Sequence, residues 1–518
     1  YDFSHDRIRE TAYAGISRAR RRLLHRRVAE ALEKTPGDAA QLAFHYEQAG
    51  WVEQAIDHYA QAADTAHHVY AFEDAVGYLA KALDLLQTQP ATPERTEQEV
   101  DLLSALGAAW SAARTWAAAE AHQAYDRAFA LSRHLEASPR LFTALWGLHE
   151  FHLFRSEYER SLDTATECLR IAQSLQEPGL LVEARHALWG SLTFLNRYAA
   201  AVEQIDLGLA LYDRTLHQPL AFHYGNHDAG HCGLSIAGVA LWMSGFPNQA
   251  RQRLHAAIQL AGELSLPMCL ADAYYNHAYV LQLLGEPPAV RRWAEAAVTL
   301  SREHGLRYCQ AIGAALAGWA MVIQGEHHAG LALLEQGIKV WEHEGMHHMQ
   351  TYLTVLLAEA YLAAGRMDAA LATVVEGQAL AIELNEHFYE PELYRLQGYL
   401  LARQGAPPRQ VEVCCRQALE LARLHGAKML ELRAAVALGR LWQQQGKRQE
   451  AHDLVAGVYA WFSEGFDTVD LKEALEGRGC EVVHWGTNSG GRHSPGGKPD
   501  IEVRDPANGR LVLVEVTK

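Results

Sequence analysis

Three histidines and a cysteine stand close together in one short segment, and their side chains are common metal ligands. His223, His227 and His231 are four residues apart, and Cys232 follows directly. Four-residue spacing places side chains on one face of a helix, where imidazole nitrogens are able to bind Zn²⁺. Two glycines interrupt the first half of the segment, however, and favour a loop. A metal site and a structural loop are therefore the two alternatives.

The loop alternative gives Asp228 a definite function. Its carboxylate is a favourable N-cap for a helix predicted over 229–244, because it accepts a hydrogen bond from a backbone N–H of the first turn. The histidines would then line solvent or a neighbouring repeat. Isolated histidines are more often structural than metal-bound, so this alternative is favoured.

A second candidate is a run of arginines near the N-terminus, on a helix predicted over 17–33. The arginines proposed as an interaction surface are Arg20, Arg21, Arg22, Arg26 and Arg27. Such a helix is able to contact phosphate or DNA. Charge runs more often pair with acidic neighbours or another domain, and the whole chain carries a formal charge of −16. That balance argues against a general binder of nucleic acid or of acidic membranes.

Composition and cysteine use indicate a soluble cytoplasmic protein. The chain has 518 residues, of which 49% are hydrophobic and 21% are charged. Its seven cysteines are scattered without a Cys-x-x-Cys pair, which is typical of reduced thiols. No apolar run is long enough to span a membrane, and no signal peptide is present. Because the sequence opens with Tyr1 inside a helical pattern, we expect it to be part of a longer protein.

The elements that must position these candidates follow a 40-residue period. Glycines that close apolar helical stretches recur at intervals of 40, 40, 40, 40 and 41 residues, at Gly245, Gly285, Gly325, Gly365, Gly405 and Gly446. Glycine favours the left-handed residue that ends a helix, so each unit is predicted to be helix, tight turn, helix. A period of 40 predicts an all-α, tetratricopeptide-like solenoid, a right-handed superhelix of helix hairpins.

Other positions refine this repeat. Small residues five positions past the turn are expected where paired helices come closest, at Ala250, Gly330, Ala370 and Ala451. Upstream, Ser156 and Asn196 occupy the turn position, so the period continues with glycine replaced. The interval from Asn196 to Gly245 is 49 residues. We therefore predict an insertion of nine residues, and it contains the histidines.

The pattern divides the chain into four parts. Residues 1–36 form a helical first unit, and 37–88 form the first repeats. A proline-containing break at 88–95 precedes the main solenoid, 95–474. Residues 475–518 change to a period of two and predict a β-rich tail.

Three stretches resemble, in the same order, parts of one bacterial family. Residues 3–13 (Phe-Ser-His-Asp-Arg-Ile-Arg-Glu-Thr-Ala-Tyr) with 20–33 (Arg-Arg-Arg-Leu-Leu-His-Arg-Arg-Val-Ala-Glu-Ala-Leu-Glu) are similar to the end of the ATPase module in large STAND-type predicted ATPases. Residues 224–232 resemble a Tyr-Gly-His-Asp-Pro-Gly-Val-Cys element of the branch with an N-terminal class III nucleotide cyclase. Asn226 is an extra residue here, and Ala229 and His231 replace the usual proline and valine. Residues 441–448 and 458–474 resemble its closing repeat, whose aromatic side chains are expected to cover the apolar end of the stack.

The resemblance implies a sensor region rather than an enzyme. Family members join an output domain and a P-loop ATPase to a repeat array that senses a partner and regulates the ATPase. This sequence contains no Gly-x-x-x-x-Gly-Lys-Ser/Thr, so ATP and Mg²⁺ would belong to upstream domains and no cofactor is expected here. The implied partners are the upstream ATPase module and a protein or small-molecule ligand on the concave face. Membrane binding is not expected, and DNA binding is the weaker alternative.

Aromatic and histidine side chains concentrate on the first helices of the repeats. They include Trp146, His149, His152, Trp189, Tyr224, Trp242, Tyr274, Tyr275 and His277. Aromatic residues are mostly buried in folded proteins, so packing between helices is favoured over ligand contact.

The tail resembles the start of a PD-(D/E)xK nuclease core. That resemblance implies that Asp500 and Glu515 hold Mg²⁺ while Lys518 activates water. Lys518 stands three residues after Glu515, however, and an odd offset places the two on opposite faces of a strand. Two interpretations of the tail follow. It is a β appendage with solvated acidic residues, or it belongs to a repeat-guided nuclease, which is the alternative function of the chain.

Overall fold

The computed structural model describes residues 13–34, 38–133, 137–477, 481–485, 501–504 and 511–514. Contacts divide the chain into two compact units. The first unit comprises Tyr1–Phe154, Asp163–Ala184 and Thr215–Asp228, and the second comprises Arg155–Leu162, Arg185–Arg214 and Ala229–Lys518. Both units share the array predicted over 95–474. Of the helices described, none combines the length and the apolar character that crossing a bilayer requires.

Helices follow one another through nearly all of the described chain. The first seven are α1 (Arg18–Leu32), α2 (Ala39–Ala49), α3 (Val52–His68), α4 (Phe72–Gln87), α5 (Pro93–Ala113), α6 (Ala119–Ser132) and α7 (Pro139–Phe154). Next come α8 (Tyr158–Leu175), α9 (Pro178–Phe194), α10 (Tyr198–Leu209), the short α11 (Arg214–His217) and a 3₁₀ helix (Gln218–Phe222). The regular hairpins continue with α12 (Ala229–Met243), α13 (Pro247–Leu264), α14 (Pro267–Leu283), α15 (Pro287–His304), α16 (Arg307–Ile323) and α17 (His327–His343). They end with α18 (Gln350–Ala363), α19 (Met367–Glu383), α20 (Glu390–Arg403), α21 (Pro408–Leu424), α22 (Lys428–Gln444), α23 (Arg448–Tyr459) and α24 (Val469–Gly477).

This order of hairpins confirms an all-α, tetratricopeptide-like helical-repeat fold. The six periodic turn glycines all have a left-handed backbone, with φ between 73° and 96°. Ser156 and Asn196 occupy the same position with φ of 61° and 60°. An L residue pays a steric penalty in this region and glycine does not, which explains why glycine recurs.

A second set of left-handed residues lies halfway between the first and was missed by the sequence analysis. Its members are Ser265, Gly305, Gly345, Asn385 and Gly426, with φ between 50° and 74°. They end the second helix of each hairpin, so a helix ends about every 20 residues. The pattern was hidden because serine and asparagine replace glycine at two of the five positions.

The predicted small positions do lie at close helix contacts. Ala250, Ala370 and Ala451 are fully buried. A Cβ added to Gly330 would lie 2.7 Å from the carbonyl oxygen of Gly318, so backbone meets backbone between α16 and α17. The absence of a side chain at both positions permits this contact.

The closing repeat contacts the first regular hairpin of the second unit, α12 and α13, and the sequence did not predict this contact. The rings of Trp461 and Phe246 have centroids 5.3 Å apart. The Glu464 carboxylate accepts hydrogen bonds from the backbone N–H groups of Asn248 (2.9 Å) and Gln249 (3.1 Å) in the first turn of α13. A carboxylate at a helix N-terminus satisfies free donors there. The repeats of the second unit therefore curve back onto its first regular hairpin.

Three short strands follow the helices. They are β1 (Glu481–Trp485), β2 (Ile501–Arg504) and β3 (Leu511–Val514), in the order β1-β2-β3. Both pairings are antiparallel, and Ile501 lies opposite Trp485 and Val514.

Because α16 and α17 are in close contact, one added methyl group between them should strongly lower the stability of the protein. A Cβ at Gly318 would lie 2.4 Å from the backbone nitrogen of Leu334. Because rigid backbone must move, we expect Gly318→Ala to lower the free energy of unfolding by about 1–3 kcal/mol. Gly262→Ala is the matched control, since no atom lies within 4 Å of its added Cβ. That control should be neutral or stabilising by up to about 1 kcal/mol. Urea denaturation followed by circular dichroism measures both, and equal effects would contradict the close contact.

Candidate functional site

The inner face of the second unit is formed by the first helices of its hairpins, and much of it is filled by aromatic side chains. Tyr279 and Tyr352 have ring centroids 4.4 Å apart, and Tyr389 lies 5.3 Å from Tyr352. The hydroxyl of Tyr352 donates a hydrogen bond of 3.0 Å to Oε1 of Gln282. All of these side chains are buried. The concave face predicted to bind a ligand is thus partly occupied by the protein itself.

Arg433 on α22 connects the inner face to the closing helix. Its Nε and Nη2 donate to the two carboxylate oxygens of Asp470 on α24, at 2.8 and 3.1 Å. Nη2 also donates to the carbonyl oxygen of Leu283 at 2.6 Å, and Nη1 to the hydroxyl of Tyr389 at 3.2 Å. The guanidinium stacks over Trp242 at 4.9 Å. One side chain therefore joins α12, α14, α22, α24 and the N-cap residue of α20.

A cavity of about 530 Å³ remains beside Arg433. Its walls come from α14, α16, α18, α20, α21, α22 and α24. Val411, Val436 and Leu441 give it an apolar side, and each is at least nine-tenths buried. A cavity of this size is typical of sites for small molecules or short peptide segments.

The polar side of the cavity contains hydrogen-bonding groups without protein partners. Nε of Arg395 donates to the carboxylate of the buried Glu392 at 2.7 Å, and among the described residues Nη1 and Nη2 have no hydrogen-bond acceptor. Gln282 is 6% exposed; its Oε1 is occupied, but its amide nitrogen has no acceptor in the described chain. Donors left free on a cavity wall are available to a ligand.

Glu359 adds an acceptor to the same wall. Its Oε2 accepts a hydrogen bond of 2.9 Å from the indole nitrogen of Trp319. Burial raises the pKa of this carboxyl above its usual value, although the positive charge of Arg395 acts in the opposite direction.

The cavity's thiol is not activated for nucleophilic chemistry. Burial raises the pKa of Cys415 to about 11, so this residue is protonated at neutral pH. The thiolate is the reactive form of cysteine, so the Cys415 thiol is not prepared to act as a nucleophile.

The insertion predicted from the period packs within the first unit. Phe222 lies 4.2 Å from the ring of His68, and Asn226 hydrogen-bonds to Nε2 of His67. Tyr224 packs on Trp146 at 5.2 Å. The sequence located this segment but gave no sign of its partners, because they stand more than 70 residues away along the chain.

The three predicted metal ligands have different surroundings. His223 is exposed beside a cavity of about 460 Å³ in the first unit. His227 is buried, with Nδ1 2.8 Å from the carbonyl oxygen of Gly225. His231 is fully buried in α12, and its Nε2 lies 2.8 Å from the carboxylate of Asp272. Helix α12 begins directly after Asp228, as the loop alternative predicted, and the metal site stays a prediction.

The predicted arginine surface lies on α1, and part of it packs on aromatic rings. The guanidinium of Arg26 stacks over Trp51 at 4.5 Å and pairs with Glu30 at 2.8 Å. Arg21 lies 5.1 Å above Tyr13. The remaining arginines of the predicted surface, Arg20, Arg22 and Arg27, are exposed.

The predicted aromatic residues lie within the described part of the chain, and the predicted nuclease residues lie outside it. Trp146, Trp189 and Trp242 are each at most 1% exposed, which confirms that these aromatic side chains pack between helices. The tail residues Asp500, Glu515 and Lys518 lie outside the described residues. The nuclease alternative therefore remains a prediction.

Comparison with known proteins identifies a relative of part of the chain. No protein-family profile matches the chain. An uncharacterized protein of Rhizobium meliloti is 28% identical over 252 residues, which cover 47% of this chain and 24% of that protein. This chain therefore matches about a quarter of the length of that relative.

Among solved structures, two Rap proteins are similar in outline. A Rap protein complexed with competence and sporulation factor is 11% identical, with a TM-score of 0.47 over 71% of this chain and 99% of that chain. The apo form of RapI is 11% identical, with a TM-score of 0.42 over 56% and 98%. At these scores the likenesses carry no inference about what this chain binds.

The contacts of Arg433 predict a selective loss of stability. Lysine keeps the charge but lacks the planar fork that bonds Asp470 twice, so we expect Arg433→Lys to lower the free energy of unfolding by about 2–3 kcal/mol. Arg440→Lys is the control, because its pair with Glu473 is about half-exposed and contributes at most about 1 kcal/mol. Chemical denaturation of the two variants tests this, and a neutral Arg433→Lys would show that the guanidinium does not hold the unit closed.

Proposed function

We propose that this chain is a ligand-binding repeat scaffold, and that it forms the sensor and regulatory region of a larger signal-transduction ATPase. The observation that carries the proposal is the cavity on the inner face of the second unit. Its wall combines apolar side chains with the unpaired donors of Arg395 and Gln282, which is the composition of a binding site. The ligand is a protein segment or a small molecule.

The ATPase part of the proposal rests on the sequence motifs and on the length of the relative. The matched region is only 24% of the Rhizobium meliloti protein, which leaves most of that chain for other domains. ATP and Mg²⁺ would bind upstream, and the full-length protein would be the enzyme. We place it in the cytoplasm on the evidence of its scattered cysteines.

Helix α1 supplies a surface for the proposed ATPase module. Leu23, Leu24 and Val28 are 40–49% exposed, and exposed arginines stand beside them. Apolar side chains rimmed by charge are typical of an interface between domains.

In this proposal the ligand acts by shifting an equilibrium. A ligand that binds one arrangement of the repeats more tightly than another changes the populations of the two. The coupling is reciprocal, so ATP bound upstream would change ligand affinity by the same factor.

The gene that encodes this chain gives the first test. Reading it upstream of the codon for Tyr1 should reveal a P-loop in the same frame. A stop codon in that position would exclude the ATPase part of the proposal and leave a free-standing binding protein.

A blocked cavity gives the second test. Ala402 is an exposed residue on the cavity wall, so Ala402→Trp fills the opening without disturbing the core. Peptides selected from a displayed library against the full chain should lose at least about tenfold in affinity for this variant. Ala363→Trp, at an exposed site that does not line the cavity, should bind normally. If Ala402→Trp binds every selected ligand as the wild type does, the cavity is not the site.

A further inference from the structure

We infer that the cavity of the second unit takes a ligand with one carboxylate group beside an aliphatic side chain, held by Arg395 and Gln282. The inference rests on the proposed binding function and names its chemistry. The cavity wall contains hydrogen-bond donors that have no acceptor among the described residues. Nη1 and Nη2 of Arg395 form the flat fork that binds a carboxylate through two parallel hydrogen bonds.

Arg395 is held ready for this contact. Its Nε bonds to Glu392, whose own side chain is 1% exposed, and its side chain remains 23% exposed toward the cavity. A guanidinium anchored at Nε has its terminal nitrogens fixed in direction, so little freedom is lost when an anion binds. The amide nitrogen of Gln282 is a third donor on the same wall.

The charges around the cavity favour a ligand with no more than one negative charge. Four arginines line the cavity against three carboxylates, and Glu392, which pairs with Arg395, adds a fourth, so arginines and carboxylates are equal in number. Arg433 pairs with Asp470 and Arg440 with Glu473. Glu359 remains on the wall and would repel a second negative charge. A phosphate group carries about 1.5 to 2 negative charges at neutral pH, so a carboxylate fits better.

The apolar side of the cavity requires an aliphatic neighbour to that carboxylate. Val411, Val436 and Leu441 are buried residues that offer only hydrocarbon to a ligand. A leucine at the C-terminus of a peptide has both groups on one residue, and so has a small branched carboxylic acid. Both sources present the same chemistry to the wall.

Matched probes test the carboxylate. Acetyl-leucine is compared with acetyl-leucinamide, and acetyl-pentaalanyl-leucine with its C-terminal amide, by ligand-observed NMR and calorimetry on the full chain. We expect each acid to bind at least about tenfold more tightly than its amide. Tighter binding of the peptide acid than of acetyl-leucine identifies a peptide C-terminus as the source, and equal binding identifies a small acid.

Two variants with opposite expected effects test the residues. Gln282→Glu retains the acceptor for Tyr352 and adds a negative charge, so acid binding should weaken by about tenfold. Glu359→Gln retains an acceptor for Trp319 and removes a negative charge, so acid binding should become several-fold tighter. A purely structural function of these residues would not produce opposite signs. The exposed controls Gln410→Glu and Glu376→Gln should change neither affinity.

Three results would overturn the inference. They are amides that bind as well as acids, two cavity variants that shift affinity in the same direction, and no binding of either acid up to about 10 mM. If ligands without a carboxylate bind and Ala402→Trp blocks them, the carboxylate inference falls while the proposed binding function stands. If acids bind equally to Ala402→Trp, both fall.

Discussion

The contacts of Arg433 determine how the second unit is closed. A solenoid repeat contacts its neighbours, and nothing in that rule brings α22 near α12 or α14. Arg433 makes this connection through the carbonyl oxygen of Leu283 and the ring of Trp242, while Asp470 on α24 balances its charge. An arginine in such a place is costly to bury and is stable only when its donors are satisfied. The cavity lies directly beside these contacts.

The regular turns make this curvature possible. A left-handed residue ends a helix about every 20 residues through the second unit, so successive hairpins repeat nearly the same geometry. Close contacts such as that between Gly318 and Gly330 bring paired helices together without intervening side chains. Small rotations between repeats then add up until Glu464 reaches the first turn of α13. The local backbone preference at each turn therefore contributes to the contact between distant repeats.

The sequence predicted what depends on local chemistry. Gly245 and its periodic equivalents, together with Ala250, located the turns and the close helix contacts, because steric limits act within a few residues. The interval of 49 residues after Asn196 located the insertion for the same reason.

What the sequence did not predict depends on residues that are far apart along the chain. Arg433 attracted no notice, since nothing near it in the sequence indicates Asp470 or Leu283 as a partner. Arg395 and Gln282 were missed as well, because a donor becomes available only when the fold leaves it without an acceptor. The aromatic residues of the closing repeat were expected to cover the apolar end of the stack, and the curvature that brings Trp461 to Phe246 has no local signal.

The cavity of the second unit depends on the closure of that unit. The most direct test of closure is a cross-link between Gly285 and Val469. A Cβ added at Gly285 would lie 3.9 Å from Cβ of Val469, which is a suitable separation for a disulfide. We expect the Gly285→Cys, Val469→Cys chain to form this bond under mild oxidation, as detected by mass spectrometry of its peptides. The pair Gly365→Cys, Val469→Cys should not form it, since nothing lies within 4 Å of a Cβ at Gly365. Failure of the first pair to cross-link in the folded protein would contradict the closed arrangement.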